Sequence, residues 1–521
     1  NITVNENITW STDKQLKLSA DSINVNKTIE NTNTANGGVY FNAFNTTTKV
    51  IFDATTGKVI IHNPYQLQWI NQALDGNYEL KSDINLNGFT WIPIGNYNGG
   101  LAFTGNFDGL GHTISNLTFN DTTREFAGLF GAINTGAMVQ NIGLTNVNIT
   151  GDSFLGGLAG SNFGTIFNSY ATGTISGTGS VGGSVGGLVG HNQGTISNSY
   201  ATGSVSGGQS VGGLVGHHRQ GSITNAYATS NVIGTRENVG GLVGWIYDGT
   251  ITNVYATGNV SGTNFVGGLV GSLQKSVAST SITNAYATGD VTGTERIGGL
   301  VGHNSGASIT NAYATGDVSG TKWVGGLVGS NYGSITNAYA TGSVPSTGTN
   351  VGRFVGENQG TITASFWDTA SSGTTTGVGT GTSTGVTGKT TAQMQDPLLY
   401  ANAMWDTTVW AYGSGVAGYG IGLAYLKNVT AISDRPAQTT LFAGGFGTSD
   451  TPYTITNWTQ LQNINNSNIL TNNYYFTLSN SINNATADYT ALASSTANSG
   501  AGWNPIGDEN NKFTGNFNGA N

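Results

Sequence analysis

Cysteine is absent from all 521 residues, which excludes disulfides, thiol catalysis and Cys-ligated zinc. The same absence suits a chain that crosses membranes unfolded, where a premature disulfide would jam passage. Charge is scarce too: 8% of residues are charged, against roughly a quarter in an ordinary soluble protein. The 17 Lys and Arg residues form no run of three and the net charge is −9, so no basic patch is available for nucleic acid. No apolar stretch approaches the roughly 18 residues that a membrane-spanning helix requires, so no membrane insertion is expected. An initial Met and a signal peptide are also missing. The chain opens Asn1-Ile2-Thr3 and stops inside a motif at Asn521, and the expectation is an internal segment of something longer.

What is abundant is glycine, 82 residues, with a polar remainder of Asn, Thr and Ser. Such a composition invites disorder, but 37% apolar residues, with 20 Phe, 21 Tyr and 10 Trp, give ample material to bury. A chain of this length exceeds one globular core, which leaves several domains or an elongated array.

Internal repetition decides for the array. A Gly-Gly-Leu-Val-Gly motif recurs from Ala127-Gly-Leu-Phe-Gly131 through Gly186-Gly-Leu-Val-Gly190 to a decayed Gly352-Arg-Phe-Val-Gly356. Its central residue falls at Leu129, Leu158, Leu188, Leu214, Leu242, Leu269, Leu300, Leu327 and Phe354, a spacing of 26 to 31 residues. Such a period marks a repeat architecture. Between copies a second element recurs, as in Ser281-Ile-Thr-Asn-Ala-Tyr-Ala-Thr-Gly289, followed by Asp290-Val291-Thr292-Gly293. Each unit reads as about three short strands with Gly, Asn or Asp at the junctions, and no helical period survives the glycines.

One such unit cannot bury its own apolar face. Units stacked about 4.8 Å apart pair every strand with the turns above and below. The fold class expected is therefore all-β, a right-handed parallel β-helix or β-solenoid, whose array alone spans roughly 40 Å over nine turns at that spacing. The central Leu and Phe residues form its inward ladder. Alternation in the Tyr strand puts Ile282, Asn284 and Tyr286 on one face and Thr283, Ala285 and Ala287 on the other. Ile282 argues that its set points inward, unless a bulge reverses the Tyr locally.

Five regions follow. Residues 1–62 hold short alternating strands such as Ile8-Thr-Trp10, Leu16-Lys-Leu-Ser-Ala20 and Ile23-Asn-Val-Asn26, and this stretch resembles the β-helical rod of filamentous hemagglutinin-like exoproteins of the two-partner-secretion type. Residues 63–124 form a lead-in, with Trp91-Ile-Pro-Ile-Gly95 and Phe103-Thr-Gly-Asn-Phe-Asp-Gly109. Residues 125–368 are the array, which resembles the GLUG repeat family of large bacterial surface proteins. That family includes hemagglutinin-like adhesins and the non-catalytic part of a class of immunoglobulin A peptidases. Residues 369–450 read as a join: a Gly/Thr/Ser linker at 371–390, then a small β-rich cap with Trp405, Trp410, Tyr412, Tyr419 and Tyr425 as its core. Residues 451–521, with Trp503-Asn-Pro-Ile-Gly507 and Phe513-Thr-Gly-Asn-Phe-Asn-Gly519, repeat the lead-in and begin a second module.

Chemistry-bearing patterns are few. Asp290 and Asp317 hold the same repeat position in successive turns, so stacking puts them about 5 Å apart, near the spacing of a retaining glycosidase pair. Glu295, Arg296 and Lys322 lie at the neighboring corner. The competing reading, a Gly-Asp turn beside an exposed charge ladder, explains the same residues. His191 and His217 are equivalent and His218 is adjacent, and all three read as surface corner residues rather than metal ligands. His-Glu-x-x-His is missing. A Thr column from Thr172 to Thr341 offers one Thr per strand, too sparse to order water into ice.

The expectation is thus a non-catalytic structural and adhesive rod segment of a large secreted bacterial surface protein, without cofactor. It would sit at the cell surface or in an extracellular or biofilm matrix. Its expected partners are other copies or modules of the same rod and host-surface or matrix glycans. The alternatives are a self-assembling extracellular filament and a carbohydrate-active solenoid using Asp290 and Asp317.

Overall fold

A computed structural model of the chain describes residues 1–44, 50–97, 100–179, 183–276, 280–345, 347–371, 376–412, 420–436 and 439–519. The fold is an all-β parallel solenoid of about 16 turns. The chain divides into two units, Asn1–Gly388 and Lys389–Asn521.

Each array turn feeds three sheets. Glu295–Gly298 stacks in a nine-stranded sheet and Val301–Ser305 in a ten-stranded one. Ser308–Ala314 and Val318–Ser319 both lie in the long third sheet. Neighboring strands are parallel and in register, so identical residues sit above one another, as in Ile251, Ile282, Ile309 and Ile335.

The Gly-Gly-Leu-Val-Gly segment makes a tight corner. The structure places Leu129, Leu158, Leu188, Leu214, Leu242, Leu269, Leu300, Leu327 and Phe354 at 0% exposure. The Leu269 N–H donates to the Leu300 carbonyl at 2.9 Å, and Leu300 to Leu327 at 2.8 Å. Gly268 is needed because a Cβ there would collide with the Gly299 carbonyl oxygen of the next turn. Backbones approach that closely only where no side chain intervenes.

The Tyr strand differs from the alternation read in the sequence. Asn284 has φ +53°, as do its equivalents within a few degrees: Asn225 at +52°, Asn253 at +55°, Asn311 at +54° and Asn337 at +52°. Asn tolerates this left-handed conformation better than other chiral residues. The single left-handed residue bends the strand and reverses its faces, so that Ile282, Ala285 and Ala287 enter the core. Asn284 and Tyr286 therefore point away from it. The displaced asparagines form their own ladder: Asn311 Nδ2 donates to Asn284 Oδ1 at 3.0 Å, and Asn284 Nδ2 to Asn253 Oδ1 at 2.9 Å. The tyrosines stack on the other face of the sheet from Tyr170 to Tyr339, with centroids 4.7 to 5.0 Å apart, and Tyr286, Tyr313 and Tyr339 are themselves buried there.

The flanks extend the stack. Ile2–Val4, Ile23–Val25 and Val50–Phe52 pair in parallel, and Lys58–Ile61 leads through Asn77–Leu80 into the array. The supposed linker corrects the sequence reading in part: Val378–Gly381 and Val386–Lys389 are strands, and Val378 sits on Val355 as a further turn. Small residues with a Val at the inward position suffice for a solenoid strand once a preceding turn supplies the edge.

In the second unit, Tyr400, Trp405 and Trp410 pack at 4.5 to 4.9 Å, and Tyr412 Oη donates to the Trp405 carbonyl at 2.7 Å. Tyr419 lies outside the described residues. This join holds short helices, Thr391–Met394 and Pro397–Asn402, besides two-stranded pieces, so it is less β-rich than expected. The lead-in architecture appears twice. Pro64–Gln68 is capped by Asn63 and Trp458–Gln462 by Asn457. In both, a glutamine side chain, Gln66 or Gln460, accepts the backbone N–H four residues before it.

Replacing Gly268 with Ala is expected to cost more than replacing exposed Gly306, where the left-handed φ of +87° strains an Ala but its Cβ meets only the Lys275 side chain at 4.0 Å. Leu300→Ala is expected to lose about 2 to 5 kcal/mol. Hydrogen exchange across residues 260–330 together with chemical denaturation reads both. Equal protection in Gly268→Ala and wild type would contradict the corner assignment.

Candidate functional site

Most positions of the repeat unit are occupied almost uniformly, because each packs on its own copy above and below. Three columns on one face are not. The first precedes the inward aliphatic residue of each corner and carries Phe126, Phe154, Ser210, Asn238, Phe265, Arg296, Trp323 and Asn350, all with φ between +50° and +62°. The second includes His191, His217, Trp245 and His303 in register with Ser161, Ser272 and Ser330. The third holds Phe163, Arg219, Tyr247, Gln274 and Tyr332.

Side chains from these columns interlock into a strip along the rod. Phe126 stacks on Phe154 at 4.7 Å and His217 on Trp245 at 4.3 Å, with His191 and His217 at 5.1 Å between them. Farther along, Arg296 lies 5.1 Å from the Phe265 ring and 4.2 Å from Trp323, and His303 meets Phe265 at 5.4 Å. Bulky residues in the left-handed region are strained relative to the Asn or Ser that other turns carry there, and such strain gathers at functional positions. His217 Nε2, Trp245 Nε1 and Arg296 Nε are buried without a hydrogen-bond partner among the described residues.

The polar corner read from the sequence lies beside this strip. Asp290 Oδ1 accepts the Asp317 backbone N–H at 2.9 Å, and Asp317 Oδ1 accepts that of Ser343 at 2.8 Å. Asn259 does the same for Asp290 one turn earlier, at 2.9 Å. Each carboxylate thus caps the next turn, a task an amide also performs, and both are exposed. Glu295 pairs with Lys322 at 3.7 Å and with Arg296 at 3.8 Å, while Lys322 Nζ sits 3.7 Å from the Trp323 ring center. The structure gives Asp290 and Asp317 a backbone-capping role and Glu295 and Lys322 a part of the strip's edge.

A second polar cluster escaped the sequence reading. Asp108 is in register with Glu79 and with Gln140, while Asn106 is in register with Asn77 and with Met138. These side chains and Lys58 line a groove of about 330 Å³. Lys58 Nζ contacts both Glu79 oxygens at 2.8 and 2.9 Å, and Asp108 Oδ2 accepts from Gln140 Nε2 at 2.7 Å. The residues are 21 to 32 apart in sequence. Before the array begins no repeat motif announces that spacing. The one signal was the polar-apolar alternation of Asn77-Tyr-Glu79 and Asn106-Phe-Asp108.

Seven of the array turns match the GLUG motif. The matched residues are 155–176, 181–206, 207–233, 235–261, 262–292, 293–319 and 324–344, leaving the first and the decayed ninth copy outside. The chain is 41% identical over 149 residues to halomucin of Haloquadratum walsbyi, which covers 25% of this chain and 2% of that protein. It is 38% identical over 101 residues to a candidate Gly-rich membrane protein of Evansella cellulosilytica, 18% of this chain and 12% of that one. The chain therefore spans a small fraction of the length of these relatives. Among solved structures, a candidate immunoglobulin A1 protease from Bacteroides ovatus aligns over 72% of this chain and 93% of its own, at 19% identity and a TM-score of 0.34. A second immunoglobulin A1 protease aligns over 58% of this chain and 20% of its own, at 21% identity and a TM-score of 0.28. The GLUG repeats and the similarity to halomucin together indicate a repetitive extracellular or surface protein. No helix among the described residues is long and apolar enough to cross a membrane.

The histidines of the GLUG turns do not all sit where the sequence put them. His191 and His217 do lie on the strip, but His218 is fully buried. It occupies the inner polar column of Asn162 and Asn192, where Asn162 Nδ2 donates to Asn192 Oδ1 at 2.7 Å and Asn192 Nδ2 contacts His218 Nδ1 at 3.0 Å. Alternation along Val215–Arg219 turns His217 out and His218 in. No group of His, Asp and Glu among the described residues is arranged to hold a metal.

Burial lowers the His191, His218 and His303 pKa values to about 4 and that of His217 to about 3. A histidine whose folded value is depressed binds protons more readily when unfolded, so stability rises with pH between about 4 and the ordinary value of 6.5. The melting midpoint is expected to fall by roughly several degrees between pH 7 and pH 5. His218→Asn, which continues the inner asparagine ladder, should reduce that fall. A midpoint independent of pH in this window would contradict the burial of these rings.

Proposed function

We propose that this chain is an adhesive spacer segment of a long exported bacterial surface protein, resembling in its first 62 residues the rods of two-partner-secretion exoproteins, and that it engages cell surface or matrix through the aromatic and cationic strip. The carrying observation is the contrast between faces. Positions that pack on their own copies are uniform, whereas one face gathers Phe, Trp, Tyr, His and Arg residues. These types dominate the energetics of interfaces. The strain accepted at Phe154, Phe265, Arg296 and Trp323, and the unpartnered nitrogens of His217, Trp245 and Arg296, support the same reading. The ladders of Leu, Asn and Tyr account for stiffness and reach, and no catalytic step is assigned to the chain.

The test replaces strip residues with those that other turns carry in the same columns: Phe265→Asn, Arg296→Asn, Trp323→Asn and Trp245→Ser together. Beads coated with wild type are expected to adhere to bacterial cell surfaces or matrix preparations. The combined variant should retain the solenoid by circular dichroism and adhere about tenfold less or worse. Equal adhesion, or none by either protein, would refute the proposal.

A further inference from the structure

The groove around Lys58 lies on a different sheet from the strip, on the outward face of the long sheet before and at the start of the array. Its outward residues run in two columns. One carries Lys58, Asn77, Asn106, Met138 and Thr165, and the other carries Glu79, Asp108, Gln140 and Phe167. Beyond Phe167 the second column becomes Ser197, Thr224 and Thr252, and the long sheet settles into its uniform Ser and Thr surface.

Three features set this stretch apart. First, it is concave: the turn at Ala54 to Gly57 walls one end of the groove, held by Asp53 accepting the Thr55 and Thr56 N–H groups at 3.0 and 2.8 Å. Second, it offers donors and acceptors side by side. The Asn106 amide oxygen and the Gln140 amide oxygen have no partner in the hydrogen bonds that Asn106 Nδ2 makes to Asn77 at 2.9 Å and Gln140 Nε2 makes to Asp108 at 2.7 Å. Third, it ends on exposed apolar side chains in line with the polar ones. Met138 is 39% and Phe167 38% exposed, while Val139 and Ile166 beneath them are fully buried.

We propose that this groove binds a neutral oligosaccharide lying along the rod axis. A sugar presents hydroxyls that both donate and accept around its rim and a C–H surface on its face. The groove answers with amides and a neutralized Lys58–Glu79 pair, followed by an exposed aromatic ring and a thioether. Successive turns rise by about 4.8 Å, close to the length of one sugar unit in an extended chain, so each unit meets an equivalent pair of positions on the next turn. The Lys58 charge is matched by Glu79 and Asp108 adds a further carboxylate, which disfavors an acidic saccharide. Several rings of the strip, by contrast, already cover one another: Phe126 stacks with Phe154 and His217 with Trp245.

The experiment titrates the full chain with cellohexaose, laminarihexaose, chitohexaose and mannohexaose, with hexagalacturonate as the acidic counterpart, by calorimetry. At least one neutral hexasaccharide is expected to bind. Phe167→Ala and Gln140→Ala should each weaken that binding about tenfold, the loss of roughly one good contact. Both variants keep the melting midpoint of wild type, since neither residue is in the core. The combined strip variant should bind the saccharide as wild type does, which separates this proposal from the adhesive one. Three results would overturn it: no neutral hexasaccharide bound at millimolar concentration, binding unchanged in both groove variants, or preference for hexagalacturonate.

Discussion

Everything in this molecule depends on backbone hydrogen bonds running from each turn to the next. The solenoid has no globular core to compensate for a missed rung, so each turn must approach its neighbors to β-sheet distance all the way around, including at the corners. At the Gly-Gly-Leu-Val-Gly corner that demand leaves no room for a Cβ, as the carbonyl of Gly299 against Gly268 illustrates. Once the backbones stack there, the Leu residues are driven into a single continuous column. Glycine and leucine in this motif are two consequences of one geometric condition.

In-register stacking also explains why a chain with so little charge is rich in Asn. An Asn above an Asn donates to one neighbor in the column and accepts from the other, so the column satisfies itself at any length. The Asn253, Asn284, Asn311 column does this outside the sheet and the Asn304, Asn331, Asn358 column inside it. A column of like charges would repel itself at the same spacing. Where carboxylates do stack, at Asp290 and Asp317, each is engaged by a backbone N–H. Glu295 and Lys322, stacked in the next column, alternate in sign.

Against such self-matching columns, irregular surface is informative. In the strip and in the groove, neighboring turns carry unlike side chains that contact one another on the outer surface. The strip interlocks rings and guanidinium groups across turns. The groove sets a Lys, two carboxylates and three amides beside exposed Met138 and Phe167. The first is suited to contacts through ring edges and cations, the second to a ligand that is polar at its rim and apolar on its face.

The sequence by itself determined the all-β solenoid, its period and its inward ladder, because those follow from where glycine and leucine recur and from the need of each unit for a neighbor. It also showed the lead-in twice. Only the tertiary structure decided which way Tyr286 points, that His218 is internal, that Asp290 and Asp317 cap turns, and that residues 378–389 continue the stack. The reason is the same in each case. Alternation gives a residue's face only until one backbone angle departs from the strand, as at Asn284, and sequence distance says nothing of which side chains meet across turns of unequal length. Lys58, Glu79, Asp108 and Gln140 become neighbors only when the rungs are laid one upon another.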